Sequence, residues 1–229
     1  MAGRTFPEAV PDIATSAAAL ADQSRAAMCA ALMDGRARTL GELATYCGIT
    51  RSTASEHASL LVARGLVTEV RQGRHRYLHL AGERVARVIE DLGVIASTTL
   101  STPASLRATT ANGRLRAGRT CYKHLAGRLG TGLTTQMQQL RLLDGSWQPT
   151  ASGRNLFIQW GVSEDEAAEA RTCMDSTERQ CHLAGPAGNA ICRTFLARGW
   201  IERIGTTRAV RLTQPGTDAL AEAGIKIAS

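Results

Sequence analysis

The chain has 229 residues, 44% of them apolar and 21% charged, and 27 Lys and Arg against 20 Asp and Glu give a formal charge of +7. These are ordinary values for a soluble globular protein, and no stretch approaches the roughly 20 apolar residues of a membrane-spanning helix. The excess of cations favours a polyanionic partner, and the length suits two small domains with separate cores. The opening MAGRTFPEAV carries neither a basic leader nor an apolar run, so a cytoplasmic protein is expected, with its six cysteines as reduced thiols.

From Pro11 to Gly35 the chain is rich in Ala, Leu and Met, which predicts two helices, the second closed by Gly35. In TLGELATYCGIT, Leu40, Leu43, Ala44 and Cys47 fall at i, i+3, i+4 and i+7, predicting a short amphipathic helix stopped at Gly48. The next segment, TRSTASEHASLLVARG, has helical period again. Ala54, Ala58 and Leu61 share one face, and Ser52, Ser55, Glu56 and Ser59 share the other. Two helices joined by a tight Gly48-Ile49 turn make a helix-turn-helix. Small hydroxylic residues on the outer face would let the second helix lie deep in a major groove. Thr50, Ser52 and Thr53 are then candidate phosphate donors, and Arg51, Ser55, Glu56 and His57 candidate contacts to base edges or backbone. A merely solvated helix face has the same composition, and the elements that follow decide between the two. LVTEVRQGRHRYLHL contains two extended runs, 66–70 and 76–80, around Arg71, Gln72, Gly73, Arg74 and His75. A hairpin directly after a helix-turn-helix is a wing, and Arg71, Gln72, Arg74, His75 and Arg76 are candidate contacts to flanking phosphates.

At these residues the sequence resembles the ArsR/SmtB family of bacterial dimeric repressors. The likeness runs without gaps from Glu42 through GITRSTASEHASLLVARGLVTEVRQGRHRYLHL, its most specific part being LV...RQGRH.Y..L, and LADQSRAAMCAALMDG is similar to the opening of that family's second helix. The resemblance covers about the first 100 residues. It implies a homodimer whose first and fifth helices form the interface, reading a palindromic DNA operator with one recognition helix per half-site. Residues 82–98 supply the expected fifth helix, with Val85, Val88, Ile89 and Leu92 as its apolar stripe. The chain departs from the family where many members bind metal. Thr39 stands where a Cys would open the helix before the recognition helix, and the fifth helix contains no His. Cys29 and Cys47 lie on apolar stripes and read as lone buried thiols.

Beyond this region, residues 101–113 are rich in Ser and Thr and read as a linker. A helix is expected around 119–142, then a small hairpin and short helix in DGSWQPTASGRNLFIQWG. Another helix is expected from Ser163, whose spacing to Glu166 fits a capping box. FLARGWIERIGTTRAVRLTQPG echoes LLVARGLVTEVRQGRHRYLHLAG, which suggests a second, degenerate winged fold whose preceding helix lacks a hydroxyl-lined face. The expected fold class is therefore mainly α with small β-hairpins (α+β). Its divisions are a winged helix-turn-helix domain at 8–100, a linker at 101–113 and a winged-helix-like domain at 114–229. Larger ArsR-like proteins with an appended domain contain similar R.CY.HLAG and ER..HLAG stretches.

Two short runs, CYKHLAG at 121–127 and CHLAG at 181–185, pair a Cys with a His. Cys121, His124, Cys173, Cys181 and His182 are candidate ligands for zinc or for a thiophilic metal or metalloid ion such as As(III). Two other roles stay open. The same residues suit close packing before Leu-Ala-Gly, and Cys121 among Arg119, Lys123 and His124 suits redox sensing. Trp147, Trp160, Trp200 and Tyr122 are candidates for lining a pocket for a small organic effector, or for core packing. A cysteine-dependent enzyme is the remote alternative, because Cys121 and His124 have no evident orienting third group or oxyanion site, and no enzyme is expected. The expected function is a homodimeric DNA-binding regulator, a repressor released by an effector at the C-terminal domain. The alternative is a non-sensing DNA-binding protein whose C-terminal half mediates protein interaction or steadies the dimer.

Overall fold

The computed structural model describes residues 11–73, 75–96 and 106–227, the side chains of 106–108 excepted. Arg74 lies outside the described residues. Two compact units emerge, the first made of Met1–Leu32 with Arg36–Val85, the second of Met33–Gly35 with Ala86–Ser229. Among the described residues helices dominate, joined by one three-stranded and three two-stranded antiparallel sheets, and no helix is long and apolar enough to cross a membrane.

In the first unit, α1 (Ile13–Leu20) and α2 (Gln23–Ala31) each begin at an aspartate, Asp12 and Asp22, whose carboxylate accepts from a backbone N–H one turn on. Strand β1 (Arg38–Thr39) leads into α3 (Leu40–Cys47). A capping box between Thr39 and Glu42 opens α3, and Gly48, at φ 65°, closes it in the left-handed conformation that a side chain would disfavour. Helix α4 (Arg51–Ala63) follows at once, capped by the Thr50 hydroxyl. It buries Ala54, Ala58 and Leu61 against a core that includes Leu43, Ala44 and Leu78. Strands β2 (Val67–Gln72) and β3 (His75–Leu80) form the expected wing, completing a sheet of order β1-β3-β2, with Arg71 opposite Arg76 and Gln72 opposite His75. The expected fifth helix is α5 (Glu83–Ile95), whose stripe leaves Val88 47% and Leu92 43% exposed.

The second unit begins within α5. Helix α6 (Leu106–Ala117) then takes up most of the stretch expected to be a linker. Its Thr and Gly content hides a helix that is stabilised by packing on later elements, where tertiary contacts override weak propensity. The helix expected over 119–142 also differs. It opens with a hairpin, β4 (Arg119–Cys121) and β5 (His124–Ala126), and only then becomes α7 (Gly127–Gln139). Tyr122, at φ 54°, turns the chain tightly enough for three-residue strands to pair. As expected, a turn bridged from Leu143 to Pro149 precedes the short helix α8 (Ala151–Gln159). The helix expected from Ser163 is a single turn, α9 (Glu164–Ala167), because Arg171–Met174 is drawn into strand β6, paired with β7 (Cys181–Ala184). The echo of the wing is real in outline. Helix α10 (Gly185–Ala197) leads through Gly199 into the hairpin β8 (Ile201–Arg203) and β9 (Val210–Leu212), and α11 (Gln214–Glu222) completes the unit.

A duplication organises this unit. In both halves a hairpin ends in a glycine with left-handed φ, Gly127 at 71° and Gly185 at 72°, which turns the chain from strand into helix. The halves exchange partners, with α7 packing on β7 and α10 on β5. Phe157, Trp160, Phe195 and Trp200 form the aromatic centre of the core, Trp160 meeting Phe195 edge-on at 5.2 Å and Trp200 at 6.1 Å. Trp160 and Trp200 are thus packing residues, not a shared pocket lining. Trp147 and Tyr122 sit apart from them at turn positions.

Between the hairpins lies the buried Asp175. Its Oδ1 accepts from Arg119 at 2.6 Å and from the Thr177 and Glu178 amides at 2.9 and 3.0 Å, while Oδ2 accepts from the Gly127 amide at 2.7 Å. Burial disfavours the charged carboxylate, but Arg119 and the three amides outweigh it and hold the Asp175 carboxyl well below the usual carboxylate range. Asp175→Asn, which strands a guanidinium whose side chain is 4% exposed, is expected to cost about 3–5 kcal/mol in urea unfolding at neutral pH. Phe195→Ala, which empties the aromatic centre, is expected to cost a similar ~3–5 kcal/mol in the same measurement.

Candidate functional site

Two surfaces carry chemistry, one in each unit. On α4 the spacing of small residues decides which side faces solvent. Ser52, Glu56 and Ser59 are exposed and Ser55 is half-buried, opposite the buried alanines. At the helix start the Thr50 hydroxyl accepts from the Thr53 amide at 3.2 Å and lies 2.8 and 2.9 Å from the Ser52 and Thr53 hydroxyls, so three hydroxyls gather where the helix amides and positive dipole end also point. Arg51 is exposed, and its guanidinium lies 3.3 Å from where a Cβ at Gly41 would stand, so it leans back over α3. His57 differs from the expected DNA-facing position. It follows Ala54 by three residues and precedes Leu61 by four, so it flanks the buried stripe, and its Nε2 lies 3.6 Å from the Asp22 carboxylate.

The wing is held to this helix by a residue expected to contact phosphate. The half-buried Arg76 is ion-paired with Glu69, and it donates to the Ser55 and Ser59 hydroxyls at 3.4 and 3.3 Å. Arg76 therefore fixes the wing against the recognition face. Arg71, Gln72 and His75 are exposed at the tip.

In the second unit the hairpins bring four of the five candidate ligands together. Cys121 stands directly opposite His124, and Cys173 directly opposite His182. Directly opposed residues on an antiparallel pair point to the same face, so each hairpin presents one sulfur and one imidazole. One ligand atom from each of the four residues lies within 4.8 Å of all the others, and three of the residues are buried and Cys173 half-buried. The two imidazole Nε2 atoms are 3.1 Å apart. Cys181 is excluded. It neighbours His182 along β7 and so points to the opposite face, where it pairs with Met174. Nor are Cys121 and His124 one turn apart on a helix; they are cross-strand neighbours.

The thiols divide by environment. Hydrogen bonding from Cys173, joined by His124 and His182 and opposed by burial, holds the Cys121 thiol well below its ordinary range. The same hydrogen bond, together with burial, pushes Cys173 up. Arg119, which the sequence offered as a thiolate stabiliser, is instead engaged by Asp175. His182 is pushed down, first by burial. Its Nδ1 has no hydrogen-bond partner and lies 3.6 Å from Asp175 Oδ2. The Cys173 sulfur also lies 2.9 Å from Glu90 Oε2 on α5, a second acceptor within reach of its one proton. The remaining thiols behave as packing groups, burial pushing Cys29 and Cys192 to about 12 and Cys47 to about 11.

Sequence reasoning missed Asp175 and Glu90, and gave Arg119 to the Cys121 thiolate where the structure gives it to Asp175. It also aligned Cys121 with Cys181 through the shared HLAG. A readable signal lay in the repeated Arg-Thr-Cys at 119–121 and 171–173, which matches Cys121 to Cys173 and makes the longer turn of the second hairpin an insertion.

Comparison with known proteins bears on the whole chain. Residues 26–76 match a family model described as the MarR family. YdfF of Bacillus subtilis (strain 168), an uncharacterized HTH-type transcriptional regulator, is 38% identical over 214 residues, 90% of this chain and 94% of that protein. The HTH-type transcriptional regulator CmtR of Mycobacterium bovis is 40% identical over 74 residues, 32% of this chain and 62% of that one. Among solved structures, the homodimeric winged helix-turn-helix domain of Mb0332 from Mycobacterium bovis, a possible ArsR-family regulator, is 32% identical, covers 36% of this chain and 76% of its own, and has a TM-score of 0.34. With a relative matched along nearly its full length, and with α3, the Gly48 turn, α4 and the β2–β3 wing in place, the chain belongs to the winged helix-turn-helix transcriptional regulators.

Proposed function

We propose that the protein is a homodimeric, cytoplasmic repressor that reads a palindromic operator and performs no catalysis. The observation that carries this reading is the outer face of α4. It is small, hydroxylic and exposed, and Arg76 bonds it to a wing whose tip presents Arg71, Gln72 and His75. A helix of that shape enters a major groove without obstruction, the hydroxyls and amides at its start meet phosphate, and the wing tip meets the flanking backbone. Ser52, Ser55 and Glu56 are the contacts to base edges in this reading, and Arg74 is a further phosphate contact proposed from the sequence alone. The second copy docks on the apolar stripe of α5, where Val88 and Leu92 stand exposed, with α1 contributing Ile13. The resemblance to dimeric repressors supports an interface on these two helices. The unit that follows α5 acts as the sensor. Half-sites lie about 34 Å apart, so a small change in the separation of the two recognition helices prevents simultaneous docking.

Both parts can be measured with a duplex selected from a random library by the wild-type protein. Arg71→Ala is expected to weaken binding in fluorescence anisotropy and to reduce the slope of log affinity against log salt by about one. An unchanged slope would remove Arg71 from the interface. Leu92→Glu is expected to convert a dimer to a monomer in light scattering coupled to size exclusion, and a dimer that persists would place the interface elsewhere.

A further inference from the structure

We infer that the two duplicated hairpins form a closed metal site in which Cys121, His124, Cys173 and His182 hold one zinc-class dication. This goes beyond the DNA-reading surface and depends on it only in assigning the second unit the sensing role. Four observations lead there. The ligands come as one thiol and one imidazole from each hairpin, which is a borderline-soft set suited to zinc. Both imidazoles turn Nε2 toward one point, with the nitrogens 3.1 Å apart, close to the roughly 3.3 Å edge that two nitrogens span at about 2.0 Å from a tetrahedral zinc. His182 Nδ1 is buried and unpartnered, 3.6 Å from the Asp175 carboxylate, the arrangement in which an outer carboxylate orients a metal-bound imidazole. Finally, Arg119, the Gly127 amide and the turn amides fix that carboxylate, so the ligands are positioned by a rigid frame.

Equal numbers of sulfur and nitrogen favour a zinc-class ion over a metalloid that takes mostly thiolates. Four protein ligands also leave no position for water or substrate, which is the pattern of structural and sensing sites. On loading, whatever protons the two cysteines carry pass to solvent, each sulfur and each Nε2 donates a lone pair, and no electron is transferred. Glu90 Oε2 lies 2.9 Å from the Cys173 sulfur, so loss of the thiol proton on loading changes the surroundings of a carboxylate on α5 whose Oε1 has no hydrogen-bond partner.

The test uses reduced full-length protein and Co(II), then Zn(II) in competition with a chromophoric chelator. One Co(II) per chain is expected, with the intense d–d bands of a tetrahedral ion and thiolate-to-cobalt charge transfer, displaced by Zn(II). The wild-type spectrum needs no variant, so it stands even where a substituted chain fails to fold. Cys121→Ser and His182→Asn are expected to weaken Zn(II) binding by more than about 100-fold, Asp175→Asn by about 10–100-fold, and Cys181→Ser not at all. Folded wild-type protein that takes up no stoichiometric ion, or a cobalt spectrum without thiolate charge transfer, would overturn the proposal. So would loss of binding in Cys181→Ser with retention in Cys121→Ser. No DNA is present, so none of these three failures bears on the operator-reading surface.

Discussion

The carboxylate of Asp175 organises the second unit. A buried charge is tolerated only when it is paired and fully hydrogen-bonded, and here one guanidinium and three backbone amides meet it from both hairpins. Arg119 and Gly127 belong to the first hairpin and its helix, while Thr177 and Glu178 belong to the turn of the second. The ion pair therefore fixes how the two duplicated halves face each other, and the four cysteine and histidine side chains fall between them. Without that frame the strand pairing would still place one Cys opposite one His in each hairpin, but the two pairs would have no fixed separation.

The two units solve different problems with similar parts. In the first, a helix followed by a hairpin is exposed for recognition, and Arg76 spends its charge and donors on holding the wing to α4. In the second, the related run of α10 into β8 and β9 is turned to packing. Phe195 on α10 joins Trp160 and Trp200 in the core, and the helix is too deeply buried to present a reading face. The same local plan thus serves recognition where the outer face is small and polar, and scaffolding where it is apolar.

Helix α5 contributes residues to both units. Its first residues close the winged domain, its middle carries Glu90 to Cys173, and its apolar stripe stays exposed. Within this one helix, Glu90 contacts the Cys173 thiol while Val88 and Leu92 stand exposed. Three of the four thiols other than Cys121 and Cys173, at Cys29, Cys47 and Cys192, have their ionisation suppressed by burial, and the fourth, Cys181, points to the opposite face of β7.

Local sequence determined the helix-turn-helix and its wing. Gly48 must adopt a left-handed conformation, Thr39 and Thr50 cap the helices they precede, the Ala54, Ala58 and Leu61 stripe selects the buried face, and alternation around Gly73 makes the hairpin. Each of these signals acts over fewer than ten residues, so no distant contact is needed to read it. The second unit was less legible. Three-residue strands are too short for a periodic signal, α6 is helical against its Thr and Gly content, and the helix begun at Ser163 ends after one turn because β6 pairs with β7. The repeated Arg-Thr-Cys marks Cys173 as the counterpart of Cys121, but the competing Cys-His-Leu-Ala-Gly run points to Cys181, and the tertiary structure decides between them through strand register and the side of β7 that faces the other hairpin. The tertiary structure alone revealed Asp175, which the sequence holds seven residues from His182 with no spacing rule to connect them. Contacts that cross fifty residues are set by how the two halves pack, and that information is absent from any short stretch of the chain.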